Sequence, residues 1–146
     1  MNFTYHGLEH KPMIIAAVVD PNTGEQFGCK MILDTGCHKT SFPAILASRF
    51  GHNNDHPDVV KGIGCTLGGD CHFYTHTVKI GLLDESEPVA EDGKAIIRWL
   101  SKSDSADFIA EFKSEYGIIG RDIMREWKSV EFSDMDKPRP KIQIVT

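Results

Sequence analysis

The stretch MILDTGCHKTSF, residues 31–42, places an acidic residue directly after an apolar run. Residues 31–33 are typical of a buried strand, and Asp34 follows them with no spacer. A carboxylate is seldom placed beside a core unless a partner or a function compensates for its burial. Thr35 and Gly36 come next and favour an immediate turn. The sequence therefore indicates that Asp34 has a function, and the other motifs of the chain indicate which one.

Length and composition limit the protein to a few classes. With 146 residues, of which 40% are hydrophobic, the chain is expected to form one domain over residues 1–146. The net charge of −5 and the lack of a basic cluster argue against a nucleic-acid partner. The N-terminal residues lack the basic-then-apolar pattern of a signal peptide, and no apolar run has membrane-spanning length. We therefore expect a cytoplasmic protein that has no membrane partner.

The cysteines and histidines raise two further possibilities, a disulfide and a metal site. The chain has four cysteines, Cys29, Cys37, Cys65 and Cys71. In a cytoplasmic chain they are expected to be free thiols, whereas an oxidising compartment would allow a bridge between Cys65 and Cys71. His38, His72 and His76 lie nearby in sequence and raise zinc as a rival interpretation, but Cys65-x5-Cys71 departs from the spacing of structural zinc sites. We therefore expect no metal and no cofactor, with the histidines at the surface or in turns.

Two apolar runs separated by turn residues predict a β-hairpin in front of Asp34. Residues 11–20 form its first strand, residues 21–25 its turn and residues 26–34 its second strand. The second strand ends on Asp34, so the hairpin presents this carboxylate at its end.

Short helices are predicted where capping residues precede an apolar face. The helix over residues 41–51 has Ser41 as its N-cap. Residues 104–112 begin with an acidic cap and place three apolar side chains on one helical face. Asp122 is well placed to cap a third helix over residues 123–127.

Residues 59–81 predict a second hairpin with a glycine-rich tip. Residues 73–80 alternate with the period of a strand, and five glycines within residues 62–81 permit a mobile tip. Further strands are predicted over residues 94–103, 129–132 and 141–146. The chain is therefore expected to be mostly β, with a few short helices.

Two motifs in a fixed order resemble those of a known protease family. The first is Asp34-Thr35-Gly36-Cys37 at the end of an apolar strand, and the second is IIGRD, residues 118–122. The glycine-rich hairpin lies between them. This arrangement is similar to that of the retropepsin-like aspartic proteases, the single-domain relatives of pepsin, and the matching motifs cover about a fifth of the chain.

The resemblance implies a fold and a set of site residues. The fold would be a mostly β acid-protease half-barrel with a flap hairpin and short helices, and it would assemble as a two-fold dimer. The implied catalytic residues are Asp34, Thr35 and Gly36. The implied substrate-binding residues are Cys37, His38, Gly62, Ile63, Gly64 and Arg121, with a flap over residues 61–72. Gly120 would let the C-terminal motif pack against the Asp34 loop.

Two positions depart from the family pattern. Cys37 stands where alanine or serine is usual. His38 replaces an acid that holds the substrate backbone and pairs with an arginine in the retroviral enzymes. These departures concern the substrate contacts beside Asp34, and they leave the partner of Arg121 open.

The chemistry of peptide hydrolysis explains why one Asp-Thr-Gly implies a dimer. Without a metal, one group must deprotonate water and another must protonate the leaving amine, and two carboxylates that share a proton do both. The chain supplies one such aspartate, so two copies of Asp34 require a homodimer that acts on a polypeptide substrate. The terminal strand, residues 141–146, is expected to join the dimer interface, with Ile142 and Ile144 facing the core and Gln143 on the other side.

Alternatives to an active endopeptidase stay open at this point. Asp34 could serve only to cap a turn. A catalytically weak dimeric peptide-binding module would keep the same fold, and the departures at Cys37 and His38 motivate it. A thiol- or metal-sensing module is suggested by Cys37-His38 and by Cys65-x5-Cys71-His72, although adjacent cysteine and histidine do not by themselves form a nucleophile–base pair.

Overall fold

The computed structural model describes residues 1–4, 11–66, 69–84, 96–102, 106–109, 115–134 and 140–146. The first half of the chain contains the strands β1 (Asn2–Thr4), β2 (Met13–Val19), β3 (Gln26–Leu33), β4 (Ser41–Pro43), β5 (Val60–Thr66) and β6 (Gly69–His76). The second half contains β7 (Lys79–Leu83), β8 (Ile97–Leu100), β9 (Ala106–Ile109), β10 (Tyr116–Ile119), β11 (Ser129–Ser133) and β12 (Lys141–Val145). The two short helices are α1 (Ile45–Arg49) and α2 (Arg121–Met124).

Within the described residues the strands form two open sheets. The larger sheet has nine strands in the order β5-β6-β9-β4-β10-β3-β2-β7-β8, and the smaller has the order β1-β12-β11. The prediction of a mostly β fold with short helices is confirmed. Among these residues no helix combines the length and the apolar character needed to cross a membrane.

The predicted hairpin in front of Asp34 is present as β2 and β3. The two strands pair antiparallel from Met13 opposite Ile32 to Val19 opposite Gln26. Their connecting turn is fixed by Asp20, whose Oδ1 accepts a hydrogen bond from the backbone N–H of Asn22 at 2.7 Å. Strand β2 is buried along almost its whole length, so the hairpin forms the centre of the core and presents residue 34 at its end.

Strand β10 lies between β3 and β4, the two strands that the Asp34 loop connects. It pairs parallel with β3 and antiparallel with β4, where Ile118 lies opposite Ser41. A Cβ atom on Gly117 would lie only 2.6 Å from the backbone oxygen of Ser41 and from the sulfur of Met31, so glycine is required for this close packing. The loop between β3 and β4 is consequently held at the end of a strand from a distant part of the chain.

The predicted helix over residues 41–51 is correct only in its second half. Ser41, Phe42 and Pro43 form β4, and the helix begins at Ile45. The segment ends at Gly51, which has a φ of +70° that favours glycine. The pairing of β4 with β9 and β10 outweighs the local capping signal at Ser41.

The predicted helix over residues 104–112 is wrong where the structure describes it. Residues Ala106–Ile109 form β9, which pairs parallel with β4 and antiparallel with β6. Residues 104, 105 and 110–112 lie outside the described part of the chain. Two strands that flank β9 satisfy its backbone groups, and this pairing cannot be inferred from the local pattern of apolar residues.

The smaller sheet closes the core from the side of the chain termini. Ile142 and Ile144 are fully buried, whereas Gln143 faces solvent, so the predicted orientation of the terminal strand is confirmed. Strand β12 lies between β1 and β11, and it pairs with both. Both edges of β12 are therefore largely hydrogen-bonded to strands of the same chain.

Candidate active site

Asp34 follows β3 and opens the loop that leads to β4. Its backbone N–H donates to the carbonyl oxygen of Ile119 at 3.1 Å, which extends the pairing of β3 with β10 by one residue. Its carboxylate Oδ1 accepts the backbone N–H of Gly36 at 2.8 Å, and its carbonyl oxygen accepts the N–H of Cys37 at 3.1 Å. Within the described part of the chain, Oδ2 has no hydrogen-bond partner. The carboxylate is thus oriented by its own turn, while the half-buried side chain stays accessible from outside.

The tip of the loop faces solvent. Thr35 and Gly36 are both exposed. A Cβ atom on Gly36 would lie 3.1 Å from Oδ1 of Asp34, so a larger residue would press on the carboxylate that the glycine N–H binds. The tip is therefore available for contacts outside the chain, and Gly36 keeps the carboxylate in place.

The C-terminal motif packs directly against this loop. The backbone N–H of Arg121 donates to the carbonyl oxygen of Cys37 at 3.0 Å, and that of Asp122 donates to the carbonyl oxygen of His38 at 3.2 Å. A Cβ atom on Gly120 would lie 2.6 Å from the backbone carbon of Lys39. The expectation that Gly120 lets the two motifs pack together agrees with this geometry.

A buried hydrogen-bond network joins the end of the loop to α2. The Asp122 carboxylate accepts the backbone N–H of Thr40 at 2.9 and 3.0 Å and the Thr40 hydroxyl at 2.8 Å. The hydroxyl oxygen of Thr40, which is fully buried, in turn accepts the N–H of Gly120 at 3.0 Å. This network satisfies the polar groups that the close packing of the two motifs removes from water.

The network corrects the role predicted for Asp122. The helix spans Arg121–Met124 rather than residues 123–127, and Gly120 is its N-cap. Asp122 does accept the N–H of Ile123 at 2.9 Å, but its main partner is Thr40, which lies 82 residues earlier. Thr40 carries no signal of this role in the sequence, since a threonine after a turn gives no indication of so distant a partner.

The residues around the loop form a corner with exposed basic side chains. His38 and Arg121 are exposed, and neither forms an ion pair with a carboxylate of the residues that the structure describes. Cys37 is half-buried, and its Sγ donates to the carbonyl oxygen of Lys39 at 3.1 Å. The loop residues and Arg121, which the sequence analysis placed in one site, are thus brought together.

The remaining predicted site residues lie on the second hairpin, which is present as β5 and β6. The strands pair from Val60 opposite Thr75 to Thr66 opposite Gly69. Gly62 is covered by the ring of Phe73, which would collide with an added Cβ atom, and Ile63 is 66% exposed. Strand β5 is at the edge of the larger sheet, and β6, β9 and β4 lie between it and β10. Strand pairing therefore connects the hairpin to the Asp34 loop only indirectly.

The described cysteines and histidines show no metal cluster. No group of three or more potential ligands is found in the described ranges. Cys29, Cys37 and Cys71 are free thiols, and burial raises the pKa of the Cys29 thiol to about 11. In the hairpin register Cys65 lies opposite Asp70 while Cys71 lies opposite Gly64, so the two cysteines are not cross-strand partners.

Comparison with solved structures shows that the chain has the fold of the retropepsin-like aspartic proteases. A retropepsin-like aspartic protease from Rickettsia conorii is similar over 98% of this chain and 98% of that chain, with a TM-score of 0.55 and 11% sequence identity. The EIAV protease complexed with the inhibitor HBY-793 is similar over 83% of this chain and 91% of that chain, with a TM-score of 0.49 and 18% identity. No protein-family model matches the sequence, and no curated protein matches it.

Proposed function

We propose that the protein is an aspartic endopeptidase whose active site is formed by two copies of Asp34 in a homodimer. The observation that supports it most directly is the carboxylate at the end of β3. One oxygen of Asp34 is held by the N–H of Gly36, and the other is open within the described part of the chain, in a retropepsin-like fold. This is the orientation that a group needs if it is to exchange a proton with water or substrate.

In the proposed reaction the two carboxylates share one proton, since two close negative charges resist simultaneous ionisation. The ionised carboxylate takes a proton from a water molecule, whose oxygen attacks the carbonyl carbon of the peptide bond. The protonated carboxyl group gives its proton to the carbonyl oxygen. The dyad then gives its proton to the amide nitrogen as the carbon–nitrogen bond breaks, and it takes a proton from one hydroxyl group of the tetrahedral intermediate, which leaves the carboxylic acid product and the shared proton in place. These steps require neither a metal nor another cofactor.

The dimer would place two Asp34 loops against each other at a two-fold axis. The exposed tip supports this arrangement, because Thr35 and Gly36 are free to meet their counterparts, and the Thr35 hydroxyl can donate across the interface. The contribution of the terminal strand stays a prediction. Because β12 is already paired on both edges, it would act through β1, β11 or the outer face of the smaller sheet.

A polypeptide substrate would lie between the Asp34 loop and the hairpin β5–β6. We propose that Gly62, Ile63 and Gly64 belong to a flap that closes over it and excludes water. Cys37, His38 and Arg121 would contact the substrate beside the loop. We propose residues 1–146 as one protease domain, and its location in the cytoplasm stays a prediction.

The test is cleavage of a mixed peptide library by purified wild type and by Asp34→Asn. The substitution keeps the size of the side chain but removes its acid–base function, so cleavage is expected to fall to background while the fold is retained. The control is Asp58→Asn, which makes the same chemical change at a side chain that is 91% exposed, and which is expected to cleave like the wild type. Cleavage by Asp34→Asn at the wild-type rate would show that Asp34 is structural.

A dimeric peptide-binding module with little turnover is the second candidate. The exposed His38 and Arg121 favour it, because they offer polar contacts to a peptide without contributing to hydrolysis. Wild-type protein that retains library peptides and leaves them uncut would support this candidate against the protease.

A further inference from the structure

A stacked pair of histidines, of which His76 is buried and His52 is partly exposed, lies at the base of the hairpin β5–β6, apart from the Asp34 loop. His76 is the last residue of β6 and is 6% exposed. Its ring stacks on that of His52, with centroids 5.0 Å apart and an angle of 25° between the planes. The expectation that the histidines lie at the surface is therefore wrong for His76.

Each ring is also held by a hydrogen bond to a different part of the chain. Nε2 of His52 lies 2.9 Å from Oδ2 of Asp20, which directly follows β2 and is 3% exposed. Nε2 of His76 lies 2.7 Å from Oδ1 of Asn54. The stack consequently ties one arm of the hairpin to the central strands and to the segment that follows α1.

The titratable groups described beside His76 are His52 and, behind it, Asp20. Strand β9 pairs with β6 at this position, and its Ala106 lies opposite His76 in register.

The surroundings of His76 and Asp20 shift the pKa of each. Burial lowers the pKa of His76, and the neighbouring His52 lowers it further. Burial raises the pKa of Asp20, but the hydrogen bonds from His52, Asn22 and Thr23 outweigh this effect and leave it lowered. At neutral pH Asp20 is therefore ionised and bound to His52, while His76 is uncharged.

We propose that the His52–His76 stack is an acid-sensitive latch that holds the base of the hairpin β5–β6 closed near neutral pH and releases it on acidification. A proton on His76 would place a positive charge in a buried site against the ring of His52. Opening moves His76 into water and removes that cost. The ion pair between Lys61 and Asp55, at 3.0 Å, also joins β5 to this segment, but it is exposed and contributes little.

The sign of the effect follows from linkage. Because the pKa of His76 is lowered in the closed state, the open state binds the proton more tightly. The closed state therefore has its full stability above about pH 6.5, the ordinary value for histidine, and loses stability as the pH falls below it. Each unit by which the pKa is lowered allows at most about a tenfold increase in the open population.

Hydrogen exchange of the hairpin amides tests the latch directly and does not depend on whether the protein cleaves peptides. Protection factors, corrected for the intrinsic pH dependence of exchange, are compared at pH 7.5 and pH 5.5 for the wild type. Protection of residues 70–76 is expected to fall several-fold at pH 5.5, while that of β2 and β3 stays constant. Constant protection of the hairpin, or an equal loss throughout the chain, would overturn the proposal.

Two variants separate His76 from the other histidines. His76→Gln keeps an N–H donor for Asn54 but cannot take a proton, so the hairpin is expected to lose its pH dependence. His72→Gln removes an exposed histidine from the same strand, and the hairpin of this variant is expected to keep its pH dependence. Retention of the pH dependence by His76→Gln would assign the effect to another group.

A measurement on the wild type covers the case in which His76→Gln does not fold. The ring of His76, followed by nuclear magnetic resonance, is expected to titrate with a midpoint below 6.5, over the same pH range in which the hairpin loses protection. A midpoint at or above 6.5 would contradict the latch, whatever the outcome for cleavage.

Discussion

The Asp34 loop and the hairpin β5–β6 belong to the same sheet, but they are held in different ways. The loop lies at the end of β3, beside β10 in the interior of the sheet, and backbone hydrogen bonds to Ile119 and Arg121 fix it on one side. The hairpin lies at the edge, where β5 has one neighbouring strand and Ile63 is exposed. At its base, the stacked rings of His52 and His76 add side-chain contacts to the pairing of β6 with β5 and β9.

This difference corresponds to two requirements of the proposed reaction. A carboxylate that transfers protons is effective when it is oriented before the substrate arrives. A segment that covers a substrate must open and close, and such segments are drawn from the less stable parts of a structure. The loop is therefore expected to respond to substitutions through stability, and the hairpin through substrate binding.

The largest expected effect is at the network that closes the loop. Asp122→Ala would leave the buried N–H and hydroxyl of Thr40 without an acceptor, and the free energy of unfolding is expected to fall by about 3 kcal/mol. Asp122→Asn keeps one acceptor oxygen and is expected to lose about 1 kcal/mol. Urea denaturation at fixed protein concentration measures both values. A loss below about 0.5 kcal/mol for Asp122→Ala would mean that the network does not hold the loop.

A smaller effect is expected where β10 enters between β3 and β4. Gly117→Ala would bring a Cβ atom to 2.6 Å from backbone and side-chain atoms of the two neighbouring strands, and the expected loss is about 2 kcal/mol. Gly28→Ala on β3 is the matched control, because its nearest neighbour would be 3.9 Å away. Equal unfolding free energies for the two variants would show that β10 is not tightly enclosed.

The smallest effect on stability is expected in the hairpin. Ile63→Ser should change the unfolding free energy by less than about 0.5 kcal/mol, because the side chain is already exposed. If the hairpin covers a peptide, the same substitution is expected to raise KM about threefold, which corresponds to the loss of part of an apolar contact. Val60→Ser is the control, since Val60 is 62% exposed at the base of the same strand. Equal KM values for both variants would remove Ile63 from the substrate contacts.

Local signals in the sequence were sufficient for the parts of the fold that depend on neighbouring residues. The hairpin that ends at Asp34 has its turn residues and both apolar strands within residues 11–34, and the structure agrees. The second hairpin and the inward-facing Ile142 and Ile144 were likewise predicted from period-two patterns. The close packing expected at Gly120 was inferred from the resemblance of its motif to that of a known family, and the geometry agrees.

Long-range contacts account for what the sequence analysis missed. Strand β9 was predicted as a helix because its pattern of apolar residues is ambiguous, and only β4 and β6, from other parts of the chain, decide its conformation. Thr40 was overlooked because its partner Asp122 lies 82 residues away. His52 and His76 meet only after α1 and the hairpin have been placed, so their pairing has no signature in sequence.

The insertion of β10 between β3 and β4 also bears on how the protein is made. On a ribosome, β3 and β4 emerge long before their common neighbour, and Asp122 follows Thr40 by 82 residues, which take on the order of 4 to 16 s to synthesise. During that interval the edges of both strands lack their final partner, and the loop with Asp34 lacks the backbone groups that fix it. A nascent chain is therefore expected to remain without an ordered Asp34 loop until residues 116–122 appear. If the protein is the endopeptidase proposed above, such an order of events would keep an incomplete chain inactive toward the polypeptides around it.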